Sequence, residues 1–275
     1  MKVRDGWFVV HRPVLNPVLR LFCFPFAGGG ALVYRDWSEH VPRGVEVCAV
    51  QLPGREGRFK ERPYTRLADL VQGLIPAFTT HSQLPSVFFG HSMGALVAFE
   101  VARELRRRQQ RGPELLMVSG CRAPQRRDPD PPIHDLPEPD FVEEIRKLNG
   151  TPEAIFGNQE LLQLLIPVLR ADFEVCETYA YQEEKPLSCP VAAFGGTEDE
   201  DVSHEDVAAW SHETTASFTQ RMFPGDHFYL LDRPVPLMQQ VIAQLTGCLD
   251  HPPTATTRAS SGGVASAASS SDVSA

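Results

Sequence analysis

Apolar residues fall along this chain in short blocks separated by longer amphipathic stretches. The blocks lie at 18–24, 45–51, 86–89, 115–119, 191–194 and 218–223. Most are continuous rather than alternating, the pattern of strands buried on both faces. Between them, apolar positions recur at helical spacing over 67–79, 93–108, 205–212 and 235–249. Strand and helix signals in alternation predict an α/β fold, with a mostly parallel central sheet and helices on both faces. No internal repeat is visible.

One stretch breaks the rhythm. Residues 121–185 separate two strand blocks and contain no strand-like run. The stretch opens Pro-rich and charged (Arg126-Arg127-Asp128-Pro129-Asp130-Pro131-Pro132), then turns helical. A structureless loop of that length is foreign to a compact domain, so an inserted helical lid is expected. Its run from Leu161 to Leu169 is apolar on nearly every face, whereas a surface helix shows one stripe. The expectation is a helix whose second face lines a substrate cavity through Leu162, Leu165 and Ile166. Pro167 should kink or end it. The division is then a core of 1–120 and 186–250, a lid at 121–185, and a tail at 251–275. The tail is Ser/Ala/Gly/Thr-rich, too poor in large apolar side chains to offset the entropy of ordering, and is expected to be disordered.

Composition narrows the class. At 275 residues, 42% hydrophobic and 22% charged, the chain is ordinary for a globular protein. A net charge of −9 argues against nucleic acid as the partner. The six cysteines are scattered without C-x-x-C spacing and read as small buried hydrophobes, not as disulfides or a zinc site. There is no signal-peptide pattern at the N-terminus and no run of the ~18 apolar residues that spans a bilayer. A cytoplasmic location is expected.

The chemistry centres on Gly90-His91-Ser92-Met93-Gly94, between the block at 86–89 and the helical run from Met93. A G-x-S-x-G there is a strand-to-helix turn that forces its serine into a strained conformation. Glycines two before and two after are needed because a Cβ would strike the neighbouring backbone. The serine is then exposed at a helix N-terminus, where N–H groups and the dipole stabilise an oxyanion. Ser92 is the candidate nucleophile. A serine hydroxyl needs a base, and among nine histidines His227 fits, in the turn after the last strand block. The acid should follow the block at 191–194, where Glu198, Asp199, Glu200 and Asp201 are consecutive. Asp199 is favoured, three residues past Gly196, with Asp201 the alternative. The oxyanion donors should be the N–H of Met93 and that of Ala27, with Phe26 the alternative to Ala27. Both lie in Phe24-Pro25-Phe26-Ala27-Gly28-Gly29-Gly30, which lacks the phosphate-loop pattern.

Taken together, the chain resembles the type II thioesterases of polyketide and nonribosomal peptide synthases, over about residues 18–245. The resemblance rests on Phe24-Pro25-Phe26-Ala27-Gly28-Gly29, Gln51-Leu52-Pro53-Gly54-Arg55, the elbow with Ala95, Pro167-Val168-Leu169-Arg170-Ala171-Asp172-Phe173, Phe194-Gly195-Gly196 with Asp199, and Gly225-Asp226-His227-Phe228. Many members carry His where Phe26 stands, which places Phe26 at the pocket mouth, and Gly-Gly-His where Gly225-Asp226-His227 stands. The resemblance implies an α/β-hydrolase fold. It also implies hydrolysis of stalled or misprimed acyl groups from the phosphopantetheine arm of acyl or peptidyl carrier proteins, with no metal or organic cofactor. A monomer is the default.

Competing readings are an esterase or lipase on free esters, an acyltransferase, and a catalytically silent scaffold that binds a synthase. Arg103, Arg106, Arg107, Arg108 and Arg111, followed by Arg122, Arg126 and Arg127, could dock an acidic carrier. The alternative is a solvated helix end, cations complementing its dipole. Arg55 is equally readable as a mouth residue or a structural ion pair.

Overall fold

The computed structural model describes residues 2–4, 6–81, 83–126 and 129–250, and the Ser/Ala-rich segment 251–275 lies outside them. The six apolar blocks are the six parallel strands: β3 (Leu19–Phe24), β4 (Val45–Val50), β5 (Ser86–His91), β6 (Leu115–Ser119), β7 (Val191–Gly196) and β8 (Phe218–Phe223). Two short strands precede them, β1 (Lys2–Arg4) and β2 (Phe8–Val10), and pair antiparallel at one edge. The sheet runs β1-β2-β4-β3-β5-β6-β7-β8. Pattern reading misses the β1–β2 hairpin because three residues are too few to show a period.

Helices cover both faces, and strand pleating assigns each side chain its layer. From β3, Phe22 and Phe24 point to the layer of α1 (Leu67–His81) and α2 (Met93–Arg107), with Leu70, Leu74, Ala98 and Phe99. Leu21 and Cys23 point the other way, to Tyr34 and Trp37 and to Leu237, Val241 and Leu245. Tyr34 and Trp37 belong to the 3-10 segment Ala31–Glu39, and the other three to the final helix. An aromatic cluster stands at the centre of the first layer. Phe88 meets Phe78, Phe24 and Phe22 at ring-centroid distances of 5.1, 5.3 and 5.8 Å. A charged pair sits between adjacent strands: Arg20 and Glu46 are in register, and Nε donates to Oε2 at 3.2 Å.

Segment 121–185 carries α3 (Glu138–Lys147), α4 (Glu153–Phe156) and α5 (Gln159–Glu177). The Asn158 side chain caps α5 by accepting from Leu161 N at 3.1 Å. Pro167 neither ends nor divides α5, which is helical on both sides of it. The all-round apolar character of 161–169 does not translate into burial on every side. Leu161 and Leu164 face outward, 44% and 52% exposed. Leu162, Leu165 and Ile166 instead join Leu169, Phe141 and Ile145 in an apolar cluster internal to this helical segment. After β7 come α6 (His204–Ala208) and a 3-10 turn, Ala209–Glu213. After β8 come α7 (Tyr229–Asp232) and α8 (Pro234–Asp250).

Phe88 is fully buried with rings on several sides, so Phe88→Ala leaves a cavity that rigid neighbours cannot close. A loss of about 3–5 kcal/mol is expected. Urea unfolding should show it as a lower midpoint at unchanged slope.

Candidate active site

Parallel strands end at a common edge, and the loops beyond β3, β5, β7 and β8 bring the predicted residues there. Ser92 sits between β5 and α2 at φ 53°, ψ −123°, a strained conformation for a residue with a side chain. That strain costs on the order of 1–3 kcal/mol and persists only if its surroundings enforce it. They do: Ser92 N donates to Ser119 O at 2.8 Å, and Ala95 N to Ser92 O at 2.9 Å. The flanking glycines allow the approach. A Cβ on Gly90 would collide with the Gly94 carbonyl, and a Cβ on Gly94 with the carbonyl oxygen of Phe24 in β3. Backbone, unlike a side-chain tip, cannot step aside.

Met93 opens α2, so its N–H has no acceptor within the helix. Ala27 lies just beyond β3, which is paired with β5 up to Phe24 and Gly90. The expected oxyanion donors are therefore on the two loops that flank Ser92. Phe26 is buried, 6% exposed, with its ring 5.9 Å from His91 and 5.2 Å from Phe228. It packs beneath the site, against the loop that carries His227.

His227 follows β8, and its Nδ1 lies 2.8 Å from Asp199 Oδ2. A carboxylate oxygen accepts here, so Nδ1 carries the proton of this bond. The Asp199 side chain has no solvent exposure. Its Oδ1 accepts from Asp201 N and Val202 N, each at 3.0 Å. Between the two candidate acids, the imidazole is therefore held by Asp199. Asp201 supplies a backbone N–H, and burial pushes its own carboxyl above the ordinary value. The acid and histidine loops are laced together beyond the strands. Thr197 N donates to Phe223 O at 2.8 Å and Glu198 N to Gly225 O at 2.9 Å. A Cβ on Gly196 would come within 2.5 Å of Asp226 O, so only glycine lets the loops cross so closely. Asp226 turns away, its Oδ1 accepting from Phe228 N at 2.8 Å.

Asp199, Asp201 and His227 also have donor atoms within 4.8 Å of one another, a metal-like spacing. Both Asp199 oxygens are already engaged, however, and the geometry is that of an acid orienting an imidazole.

A buried polar chain under the site has no signature in the sequence. His91 Nδ1 lies 3.0 Å from Ser119 Oγ, and Ser119 Oγ 2.5 Å from Tyr229 Oη. The His91 ring is 5.2 Å from that of His227. Burial first, and the nearby His227 second, hold the His91 pKa well below the ordinary value, so it stays neutral. Only its place inside the elbow pointed to His91.

The arginine-rich end of α2 is laced with ion pairs. Arg103 and Arg107 pair with Glu100, Arg107 and Arg108 with Glu104, and Arg103, Arg106 and Arg107 with Glu184. Arg103 also donates to the Gln182 carbonyl, and Arg106 to those of Lys185 and Pro186. The cluster fastens the strap behind α5 to α2. Arg126 pairs with Asp206, and Arg127 lies outside the described residues.

A thioesterase-domain family model matches residues 19–245. The chain belongs to the thioesterase family. It is similar to the gramicidin S biosynthesis protein GrsT of Aneurinibacillus migulanus, 42% identical over 88% of this chain and 94% of the relative. To thioesterase PikA5 of Streptomyces venezuelae it is 40% identical, over 82% and 81%. Among solved structures it is similar to the type II thioesterase BorB of the borrelidin biosynthetic cluster. That match has a TM-score of 0.82 and 35% identity, covering 89% of this chain and all of the other. This thioesterase fold is an α/β-hydrolase fold. Among the described residues, no helix is long and apolar enough to cross a membrane.

The neutral His91 gives the family member a pH dependence of known sign. In the unfolded chain a histidine protonates near pH ~6.5, whereas the folded protein excludes that proton. Its contribution is therefore complete above that pH and is lost as pH falls through it, by up to about 1.4 kcal/mol per unit. Urea unfolding between pH 7.5 and 5.5 should show a smaller slope for His91→Asn than for the wild type.

Proposed function

We propose that the protein is an editing, type II thioesterase. It hydrolyses aberrant or stalled acyl groups from the phosphopantetheine arms of carrier proteins in polyketide or nonribosomal peptide synthesis. The observation that carries this reading is the Asp199-anchored His227 at the same sheet edge as the strained Ser92, in a chain whose relatives include GrsT and BorB. Ser92 Oγ attacks the thioester carbonyl as His227 Nε2 takes its proton. The oxyanion is received by the N–H groups of Met93 and Ala27. Collapse breaks the C–S bond, and the proton passes from His227 to the departing pantetheine thiolate. Water then repeats the sequence on the acyl-enzyme, releasing the acid and restoring Ser92. Asp199 keeps the imidazole in the required tautomer and stabilises its charged form without taking the proton. The enzyme acts as a monomer in the cytoplasm, beside its carrier partners.

The test compares wild type, Ser92→Ala and Asp199→Asn on one acyl group, loaded on a carrier protein or presented as a simple ester. Rapid carrier deacylation with weak ester hydrolysis is expected, abolished by Ser92→Ala. Asp199→Asn should lower kcat on the order of 10⁴-fold. Ester hydrolysis without carrier deacylation makes the protein a general esterase. No activity on either substrate, with the fold intact, overturns the hydrolase reading.

A further inference from the structure

Two charged residues outside this machinery are buried beside it. Arg55, in the turn after β4, and Asp172, on the lid helix α5, are 7% and 3% exposed. They form a bidentate pair: Arg55 Nη1 to Asp172 Oδ2 at 2.5 Å and Nη2 to Oδ1 at 2.8 Å. The pair also grips the loop that carries Ala27. Gly28 N donates to Asp172 Oδ2 at 2.7 Å, and Arg55 Nη1 donates to Gly29 O at 3.1 Å. Arg55 Nε anchors to Pro53 O at 3.2 Å. The N–H of Gly28 belongs to the peptide that Ala27 itself begins. Asp172 therefore fixes the peptide plane immediately after the oxyanion donor.

Packing repeats the connection independently. Gly28 has φ +78°, and a Cβ there would lie 2.6 Å from Leu169 Cδ2, also on α5. The lid helix thus touches the oxyanion loop through a carboxylate and through a leucine one turn away. A buried ion pair adds little net stability, because desolvation offsets the attraction. What a two-pronged guanidinium–carboxylate pair does supply is orientation.

We propose that Arg55 and Asp172 are positioning residues of the oxyanion hole, and that through them the seat of α5 sets the aim of the Ala27 N–H. The hole is then complete only while the lid helix is docked. A lid displacement that carries Asp172 away frees Gly28 N–H and lets the loop rotate. The inference rests on Ala27 being an oxyanion donor.

The test uses the full chain with Asp172→Asn, Asp172→Glu and Arg55→Lys. Arg55→Met/Asp172→Leu, which leaves no lone buried charge, is measured in the same way should a single variant not fold. kcat is expressed per active site titrated with a fluorophosphonate, so partial misfolding does not count. Ki is measured for a trifluoromethyl ketone, whose Ser92 adduct places an alkoxide in the hole. Asp172→Asn and Arg55→Lys should lower kcat per site by roughly 10- to 100-fold, short of the 10²–10³ for outright loss of a donor. Ki should rise by the same factor. KM should change by less than about twofold, and the pH midpoints of kcat/KM should not move, because the Asp199–His227 pair is untouched. Asp172→Glu, which keeps the carboxylate, should retain more activity than Asp172→Asn. Folded variants with wild-type kcat per site and Ki overturn the inference alone. Absence of Ser92-dependent ketone binding in the wild type overturns the hydrolase reading and this inference with it.

Discussion

Backbone-to-backbone contact at the turn between β5 and α2 is the constraint on which the site depends. The first turn of α2 rests on the end of β3 so closely that no side-chain atom fits between Gly94 and the Phe24 carbonyl. That contact, with the Ser92 N–H held by Ser119 O, keeps Ser92 at a positive φ it would not otherwise adopt. Releasing the strain would require parting strands whose aromatic side chains fill one layer of the core. Core packing thus holds Ser92 in a conformation that local propensity opposes.

The acid and the base use a different device. Each is carried by a loop, and loops are normally the mobile part of a fold. Here the pairing of β7 with β8 continues past the strands through Thr197 and Glu198, so the two loops are tied to each other. Asp199 then has both oxygens committed before any substrate arrives. Such prior orientation is the main requirement of an electrostatic catalyst, since reorganisation at the moment of reaction is what water would demand.

The inserted helical segment is joined to the rest of the fold at two levels. At the rear, the α2 arginines fasten the strap around Glu184. At the front, Asp172 reaches Arg55 and the Gly28 N–H. Arg103, Arg106 and Arg107, part of what looks in one dimension like a basic docking stripe, and the turn residue Arg55 prove to be attachments of the inserted helical segment. The outward apolar residues of α5, Leu161 and Leu164, are left on the surface.

The sequence by itself determined the central strands and the elbow, because burial on two faces demands continuous apolar runs and the strained turn demands glycines at fixed spacing. It located His227 by chain order, and it narrowed the acid to a turn with four carboxylates. Local pattern could not show the β1–β2 hairpin, whose three-residue strands carry no period. Nor could it show that Leu162, Leu165 and Ile166 pack within the inserted helical segment, because apolarity does not name its partner. Tertiary structure alone decided that Asp199 rather than Asp201 meets the imidazole, that His91 joins Ser119 and Tyr229, and that Arg55 meets Asp172. Each of these is a contact between residues far apart in the chain, with strength set by angle and burial. Neither quantity is written in the local order of residues.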